Sequence, residues 1–376
     1  MRSFIKRVEN ARKNPHLLRL FLKNKIAGTR RILLNPSTIF LAVNGICNLR
    51  CAMCDVGMRN RDSQFYRLMS GTRQELLPDR VKTFIDEVKY FNPIIAITST
   101  EPLLYGPLFD ISEYIISRGL ELYITTNGLL LEKYAETMVR LNVPLLQVSL
   151  DGPPEIHNRI RGVEKAFEKA MDGIRLVTDY KRKYNSEKPK IGINYTISNL
   201  NDTYLFDFSQ LMNDTGVSSI TFSHLNYVTE KMAEKHNSLF ADICQATPSS
   251  MSSDVVDPTK VDFNKLWEQI RLVKGHRFTP TITFVPEIRS RDILFDFYNR
   301  PEVIVANDKC SAPWTVMQIM GNGDAAVITR CLNVRLGNIY KDSFDEIWHG
   351  ECYKKFREAL RKHNMFPACT RCCGVL

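Results

Sequence analysis

Seven of the ten cysteines in this 376-residue chain fall into two groups whose spacing suits metal chemistry. Cys47, Cys51 and Cys54 form a C-x3-C-x2-C triplet directly after an apolar run at 38–43. Three thiolates on one loop can hold three corners of a [4Fe–4S] cube. The fourth iron then lacks a protein ligand and can take a small molecule, as catalytic zinc keeps one position open. Structural zinc normally wants four closed ligands, so the triplet points to iron–sulfur. The second group, Cys310, Cys331, Cys369 and Cys372, has four thiols and can make a fully ligated cluster or a zinc ribbon. Of the other three, Cys352 lies on an amphipathic stretch and is expected in buried packing. Cys373 adjoins Cys372 and could replace it, and Cys244 reads first as a small buried hydrophobe. The N-terminus shows no apolar h-region of a secretory signal, which favours metal or catalytic roles over structural disulfides.

Elements that could position these groups are legible as alternating periods. Apolar, β-branched runs occur at 38–43, 94–98, 121–126, 145–150, 190–197 and 217–223. Helical spacing lies between them, near 78–91, 107–118, 131–141, 163–183 and 203–214. Strands separated by helices imply βα units and a parallel sheet, and six units imply an open or partly closed barrel. Sites on such sheets gather at the C-terminal strand ends. The loops beginning at Gly45, Ser99, Thr126, Asp151 and His224 therefore share one face; His224 and nearby Tyr105 are further candidates there. Beyond Cys310, the segment 314–320, the turn residues Gly321-Asn322-Gly323-Asp324 and 325–329 predict a β-hairpin, followed by a helix over 343–361. Residues 225–309 are less regular, with a polar stretch at 247–260.

Composition is that of a globular protein, 44% hydrophobic and 24% charged, and no apolar run approaches the ~20 residues of a bilayer span. The net charge of +10 is local: residues 1–34 hold ten Lys/Arg and one acid, leaving the remaining chain near neutral. That balance argues against a nucleic-acid-binding body. The basic segment reads as two short amphipathic helices broken at Pro15, suited to a peripheral membrane contact or an anionic substrate, or else packed beside the first strand. Motifs of P-loop, dinucleotide-binding, serine-hydrolase and zincin chemistry are absent.

The triplet after the first strand resembles the hallmark of the radical SAM superfamily, with Met53 where an aromatic residue is usual. The resemblance continues along the chain. Glu101-Pro102 matches the end of a Gly-Gly-Glu-Pro run whose glycines are replaced here by Ser99 and Thr100. Thr126-Asn127-Gly128 matches T-N-G, and Ser149-Leu150-Asp151-Gly152 with His157 and Arg161 matches the S-x-D-G…H…R stretch. The second cysteine group, with Gly337-Asn338-Ile339 and the helix start at Ser343, resembles the SPASM/twitch extension, which surrounds an auxiliary [4Fe–4S] cluster.

This resemblance implies an α/β fold: a (βα)6 partial TIM-like barrel with a small C-terminal β-hairpin/helix iron–sulfur domain. The expected division is a basic extension (1–36), the barrel (37–226), a linker or helical connection (227–305) and the auxiliary domain (306–376). Cys47, Cys51 and Cys54 would hold the cluster that binds S-adenosyl-L-methionine. Glu101 would pair with its ammonium, Asn127 and Ser149 would contact it, and Arg161 would meet its carboxylate. Cys310, Cys331, Cys369 and Cys372 would hold one auxiliary [4Fe–4S] cluster, or zinc in the alternative. Cys244, where the chain crosses toward the auxiliary domain, would be a hydrogen donor to a substrate radical. The implied enzyme cleaves the cofactor reductively, with a reductant such as flavodoxin or ferredoxin, and abstracts hydrogen from a C–H bond, as an oxidoreductase or epimerase. Since only about 40 residues precede the first strand, no peptide-recognition domain is expected, and the substrate is read as a carbohydrate-type or lipid-linked metabolite. A peptide- or protein-modifying maturase is the second reading, and a non-catalytic iron–sulfur or zinc scaffold the third. A cytoplasmic location is expected, peripheral at the inner membrane face if the basic segment docks there.

Overall fold

The structure is a computed structural model that describes residues 15–70, 74–98, 100–251, 255–305, 309–327 and 332–372. The apolar runs become parallel strands β1 (Thr38–Leu41), β2 (Ile94–Ile97), β3 (Leu122–Thr126), β4 (Leu145–Ser149), β5 (Lys190–Ile197) and β6 (Ser219–His224). Each of the first five is followed by at least one helix, and Val81, Phe84, Ile85, Ile111, Ile115, Met138, Val139, Ile174 and Val177 turn inward from those helices onto the sheet. The expected α/β architecture is present, with strand and helix bounds within a few residues of those read from periodicity.

The sheet reaches further at both edges than six units. Gln245–Ala246 form the short strand β7, and Thr281–Val285 form β8, which pairs in parallel with β6. A strand from the stretch 227–305, read as a linker or helical connection, thus joins the sheet. At the other edge, β9 (Val316–Ile319) pairs in parallel with β1 and antiparallel with β10 (Asp324–Ala326), which pairs with β12 (Gly337–Asn338). The expected hairpin is thus real, but its first strand extends the barrel sheet, in the order β12-β10-β9-β1-β2-β3-β4-β5-β6-β8 among the described residues. The physical reason is that β1 would otherwise present a row of unpaired backbone groups at an edge. Between β10 and β12, β11 (Leu332–Asn333) leaves this sheet to pair with β7. The predicted helix over 343–361 is broken into Phe344–Trp348 and Glu351–His363, with Gly350 as the N-cap of the second.

Pro15 starts a helix, Pro15–Arg30, as its fixed φ favours, and the first of the two expected basic helices lies outside the described residues. The described helix buries Leu20 and Ala27 in the protein, and a Cβ at Gly28 would stand 2.8 Å from Ser311 Cβ. Arg31 donates to the carbonyls of Leu360 and Asn364 and stacks on Trp314. This part of the basic segment is docked on the C-terminal region, and among the described residues no helix is long and apolar enough to cross a membrane.

The helix Arg291–Asn299 is tied to the C-terminal loop by one side chain. Arg371, only 1% exposed, donates to the carbonyls of Phe297, Asp296, Arg300, Val303 and Thr370 at 2.6–2.8 Å. Three of these acceptors belong to the end of that helix, where the dipole favours a cation. Arg371→Met should cost about 3 kcal/mol or more, since several buried carbonyls lose their donors at once. An unshifted urea midpoint would contradict that assignment.

Candidate functional site

The loop from Ala42 to Ser63 carries the cysteine triplet without strand or helix of its own. Its shape comes from ties to neighbouring strand ends. Asn44 Nδ2 donates to the Glu101 carbonyl at 2.9 Å, and the Glu101 amide donates to the Ile46 carbonyl at 3.1 Å. On the far side, the amides of Arg50 and Ala52 donate to the carbonyls of Arg161 and Ile160, at the end of the helix Pro154–Arg161. Gly162 takes φ +66°, and a Cβ there would lie 2.9 Å from the Arg50 carbonyl oxygen, so only glycine allows this approach. Below the triplet, the fully buried Asp55 carboxylate accepts from Ser249 Oγ at 2.7 Å and from the Ser250 amide at 3.2 Å.

The expected site residues meet here in particular roles. Glu101 is 0% exposed, and its carboxylate accepts from the Leu103 amide, Thr126 Oγ1 and the Asn127 amide at 2.7–3.0 Å. Burial pushes its pKa up against those donors. In this structure Glu101 braces the ends of β2 and β3. Asn127 reaches back to the triplet loop: Nδ2 donates to Asn48 Oδ1 at 2.7 Å and lies 3.9 Å from Cys47 Sγ. Arg161 is engaged within the protein as well. It pairs with the buried Asp151 at 2.5 Å and donates to Cys51 Sγ at 3.6 Å. Ser149, half-buried at the end of β4, keeps its hydroxyl clear of hydrogen bonds among the described residues and stays available to a bound molecule. Ser99 lies outside the described residues.

The donor set suits an iron–sulfur cluster. Cys51 and Cys47 each face a nitrogen donor, a common way of holding cluster sulfurs. Burial pushes the Cys51 thiol up to about 12, with the Arg161 cation opposing it, so binding of iron must displace the protons. Among the described residues, no three His, Cys, Asp or Glu side chains converge on a single ion. Beside the triplet opens a cavity of about 220 Å³ lined by Cys47, Asn48, Leu49, Arg50, Val56, Gly57 and Arg59. Two guanidinium groups on its wall suit a carboxylate.

Asp151 is bound on every side: its amide donates to His157 Nδ1, its Oδ1 accepts from the Thr196 amide, and its carbonyl accepts from Asn201 Nδ2. The Asp151-Gly152 turn thus anchors Arg161, through the acid, to β5. Sequence reasoning missed Asn44, Asp55 and Asn201, whose partners lie 57, 194 and 50 residues away. Tyr105 and His224 are not cavity groups. Tyr105 donates to the Leu76 carbonyl at 2.6 Å, and His224 lies 1% exposed with Nδ1 2.8 Å from the Tyr298 hydroxyl.

At the auxiliary site, Cys310, Cys369 and Cys372 are brought together by Asn364, whose carbonyl accepts from the Cys310 amide, and by the Cys372 amide donating to the Cys369 carbonyl. Cys369 is sealed from solvent, and its thiol lies within electrostatic range of Cys372 and Cys310. Cys331 and Cys373 lie outside the described residues. Cys352 is exposed, not packed as expected, because it falls on the outer face of the helix Glu351–His363. Cys244 is 3% exposed, as a small buried apolar residue would be, with its Sγ 3.7 Å from His236 Nε2.

Residues 41–202 match the radical SAM superfamily, and residues 310–373 match the SPASM iron–sulfur cluster-binding domain. Fe-coproporphyrin III synthase of Methanosarcina barkeri is 27% identical over 183 residues, 48% of this chain and 42% of that protein. The chain therefore spans well under half of that relative's length. The tungsten-containing aldehyde ferredoxin oxidoreductase cofactor-modifying protein of Pyrococcus furiosus is 22% identical over 343 residues, 89% of this chain and 86% of that protein. Among solved structures, Streptococcus suis SuiB bound to S-adenosylmethionine superposes with a TM-score of 0.59 at 16% identity, over 93% of this chain and 72% of that one. SuiB has also been solved with its precursor peptide SuiA.

Desolvation drives the pKa of His157 down to about 2 and that of His224 to about 3. Both stay neutral in the folded protein, whereas an unfolded histidine takes up a proton near 6.5. Stability is thus retained above pH 6.5 and falls below it by about 1.4 kcal/mol per pH unit for each, until the folded-state values are reached. Urea denaturation of the iron-free protein at pH 7 and 5 should show this loss, and His224→Gln should remove one histidine's share. An equal loss in the variant would refute the assignment for His224.

Proposed function

Because the chain belongs to the radical SAM superfamily and carries a SPASM domain, we propose that it abstracts a hydrogen atom from a C–H bond of a carbohydrate-type or lipid-linked metabolite, with oxidation, dehydrogenation or epimerisation as the outcome. The observation that carries this reading is the polar, arginine-walled cavity opening directly beside the cysteine triplet. Its size and charge suit a compact polar ligand better than an apolar one. A [4Fe–4S] cluster with S-adenosyl-L-methionine, once bound, would supply the one-electron chemistry that hydrogen abstraction needs. The chain's own part is to hold and orient. Cys47, Cys51 and Cys54 would grip the cube, Asn127 and Arg161 donate toward the sulfurs of Cys47 and Cys51, and Ser149 offers a hydroxyl from the end of β4. Arg50 and Arg59 are placed to receive the cofactor's carboxylate. Cys310, Cys331, Cys369 and Cys372 are assigned to an auxiliary [4Fe–4S] cluster. Such a fully ligated centre cannot chelate the cofactor and is suited to passing an electron, with an external reductant supplying the first one.

A peptide or protein substrate is the second reading, favoured by the fold shared with SuiB and its precursor-peptide complex. Anaerobic reconstitution should load about eight irons per chain, two cubes, and reduction with S-adenosyl-L-methionine should release 5′-deoxyadenosine. Cys47→Ala, Cys51→Ala and Cys54→Ala should each abolish that release. Ser149→Ala should raise the KM for the cofactor several-fold while leaving the iron content intact. Deuterium transfer into 5′-deoxyadenosine from a labelled sugar or polyol, against a labelled peptide pool, separates the two substrate readings. Iron-loaded protein that never turns over the cofactor would leave only a scaffold.

A further inference from the structure

We propose that the helix Pro15–Arg30 forms one wall of a second binding site, at the opposite end of the barrel from the triplet, and that this site takes a phosphate group. The helix turns Leu20 and Ala27 into the protein and leaves Arg19 and Lys23, one turn apart, side by side at its edge. Between them and the chain that enters β2 opens a cavity of about 310 Å³, whose lining includes His16, Arg19, Lys23, Asn35, Tyr90 and Phe91. Asn35 lies three residues before β1, and Phe91 three residues before β2. In this parallel pair those are the N-terminal strand ends, whereas the cysteine triplet follows the C-terminal end of β1. The cavity therefore shares no wall with the triplet, and the inference stands apart from the radical chemistry proposed above.

The lining is rich in donors that the protein itself leaves unmatched. Neither Arg19 nor Lys23 forms an ion pair among the described residues. Like charges one turn apart on a helix repel, and an anion between them relieves both. Lys23 is held at the cavity rather than splayed from it, with its ammonium 5.4 Å from the centre of the Phe91 ring. Burial and the Arg19 charge both lower its pKa, as expected of a cation with no counter-ion. Glu121 is within electrostatic range of His16 but not of Lys23. Tyr90 adds a third donor. Its ring is 65% exposed, yet it meets Phe91 edge-on at 5.0 Å, and its hydroxyl accepts from Asn35 Nδ2 at 3.3 Å. A phenol that accepts this bond keeps its own proton for another acceptor. A guanidinium fork, an ammonium and a phenol thus line one cavity, and all three donate. A phosphate group, with three strong acceptor oxygens and up to two charges, matches that set better than a carboxylate does.

A free phosphate ester and a lipid headgroup present the same chemistry, and the test has an arm for each. In the first, the full-length, cluster-loaded protein is titrated calorimetrically with inorganic phosphate and with glycerol 3-phosphate, at an ionic strength held constant with chloride. In the second, it is sedimented with phosphatidylcholine vesicles that contain or lack phosphatidylglycerol. The expected result is one equivalent of phosphate bound in the first arm, or retention by the anionic vesicles in the second. Arg19→Gln/Lys23→Gln should weaken that binding about 10-fold or more, and Tyr90→Phe about 3-fold. Arg175→Gln/Arg182→Gln, which removes the same charge from exposed positions on the helix Ala166–Lys183, should leave it unchanged. Tyr90→Phe deletes a single hydroxyl and keeps the test decisive if the double variant fails to fold. Soluble phosphate binding without vesicle retention assigns the site to a small phosphate ester, and the converse assigns it to a headgroup. No binding in either arm would overturn the proposal. Binding that survives Arg19→Gln/Lys23→Gln, or that falls equally in the Arg175→Gln/Arg182→Gln protein, would overturn it too.

Discussion

A loop with no ladder of its own must hold three thiols in fixed relation, and the rest of this structure depends on how that is done. Strands and helices fix side chains through their backbone hydrogen bonds; the segment 42–63 cannot until the short helix Gln64–Ser70 begins. Its rigidity is borrowed from three buried carboxylates. Glu101 braces the ends of β2 and β3 above it, Asp55 ties its lower end to Ser249 and Ser250, and Asp151 fixes Arg161 against Cys51. Buried carboxylates are costly unless every oxygen finds donors. Here their donors are backbone amides and hydroxyls from distant strand ends, so satisfying the acid and positioning the loop are one event.

The Asp151–Arg161 pair shows how much such a device can carry. A buried ion pair is weak support for stability, yet losing one partner leaves an uncompensated charge. Asp151 compensates with its Thr196, His157 and Asn201 contacts, which together fix both faces of the Asp-Gly turn. Arg161 is thereby held while its Nη1 donates toward Cys51 Sγ. Its backbone carbonyl accepts from Arg50 in the same loop, so side chain and main chain act on one short stretch around Cys51.

What could be read in the residues beforehand follows from the range of the interactions. The βα alternation is a local period, and so is the triplet; both were legible, along with the Gly321–Asp324 hairpin turn. Arg161 and Asn127 were legible as site residues but not in role, because the role depends on what each side chain faces across the barrel mouth. The helix Pro154–Arg161 escaped the periodic reading, since its eight residues contain three arginines and histidines interleaved with only two isoleucines. The partners of β1 and β6 escaped it as well. A strand's alternation says which face is buried but not which strand lies alongside, and β8 and β9 join the sheet from segments 57 and 275 residues away in the chain, counted from the last residue of β6 to the first of β8 and from β1 to β9. Arg371 was invisible for the same reason: nothing in a Cys-Thr-Arg-Cys run says that its arginine meets five carbonyls.

The pairing of β9 with β1 bears on how the two cysteine groups are spaced. A tethered auxiliary domain would sample many separations, whereas a strand hydrogen-bonded to β1 in register, Thr38 opposite Val316 through Leu41 opposite Ile319, has none to sample. The triplet follows β1 directly, and Cys310 precedes β9 by a single short helix, Ala312–Thr315. Both ligand sets are therefore measured from the same two adjacent strands. On the opposite flank, Arg371, lying between Cys369 and Cys372, grips the end of the helix Arg291–Asn299, whose Phe297 and Tyr298 pack on His224 at the end of β6. The auxiliary loop is thus clamped to the barrel at both ends of the sheet. The shared sheet fixes the spacing of the two cysteine groups.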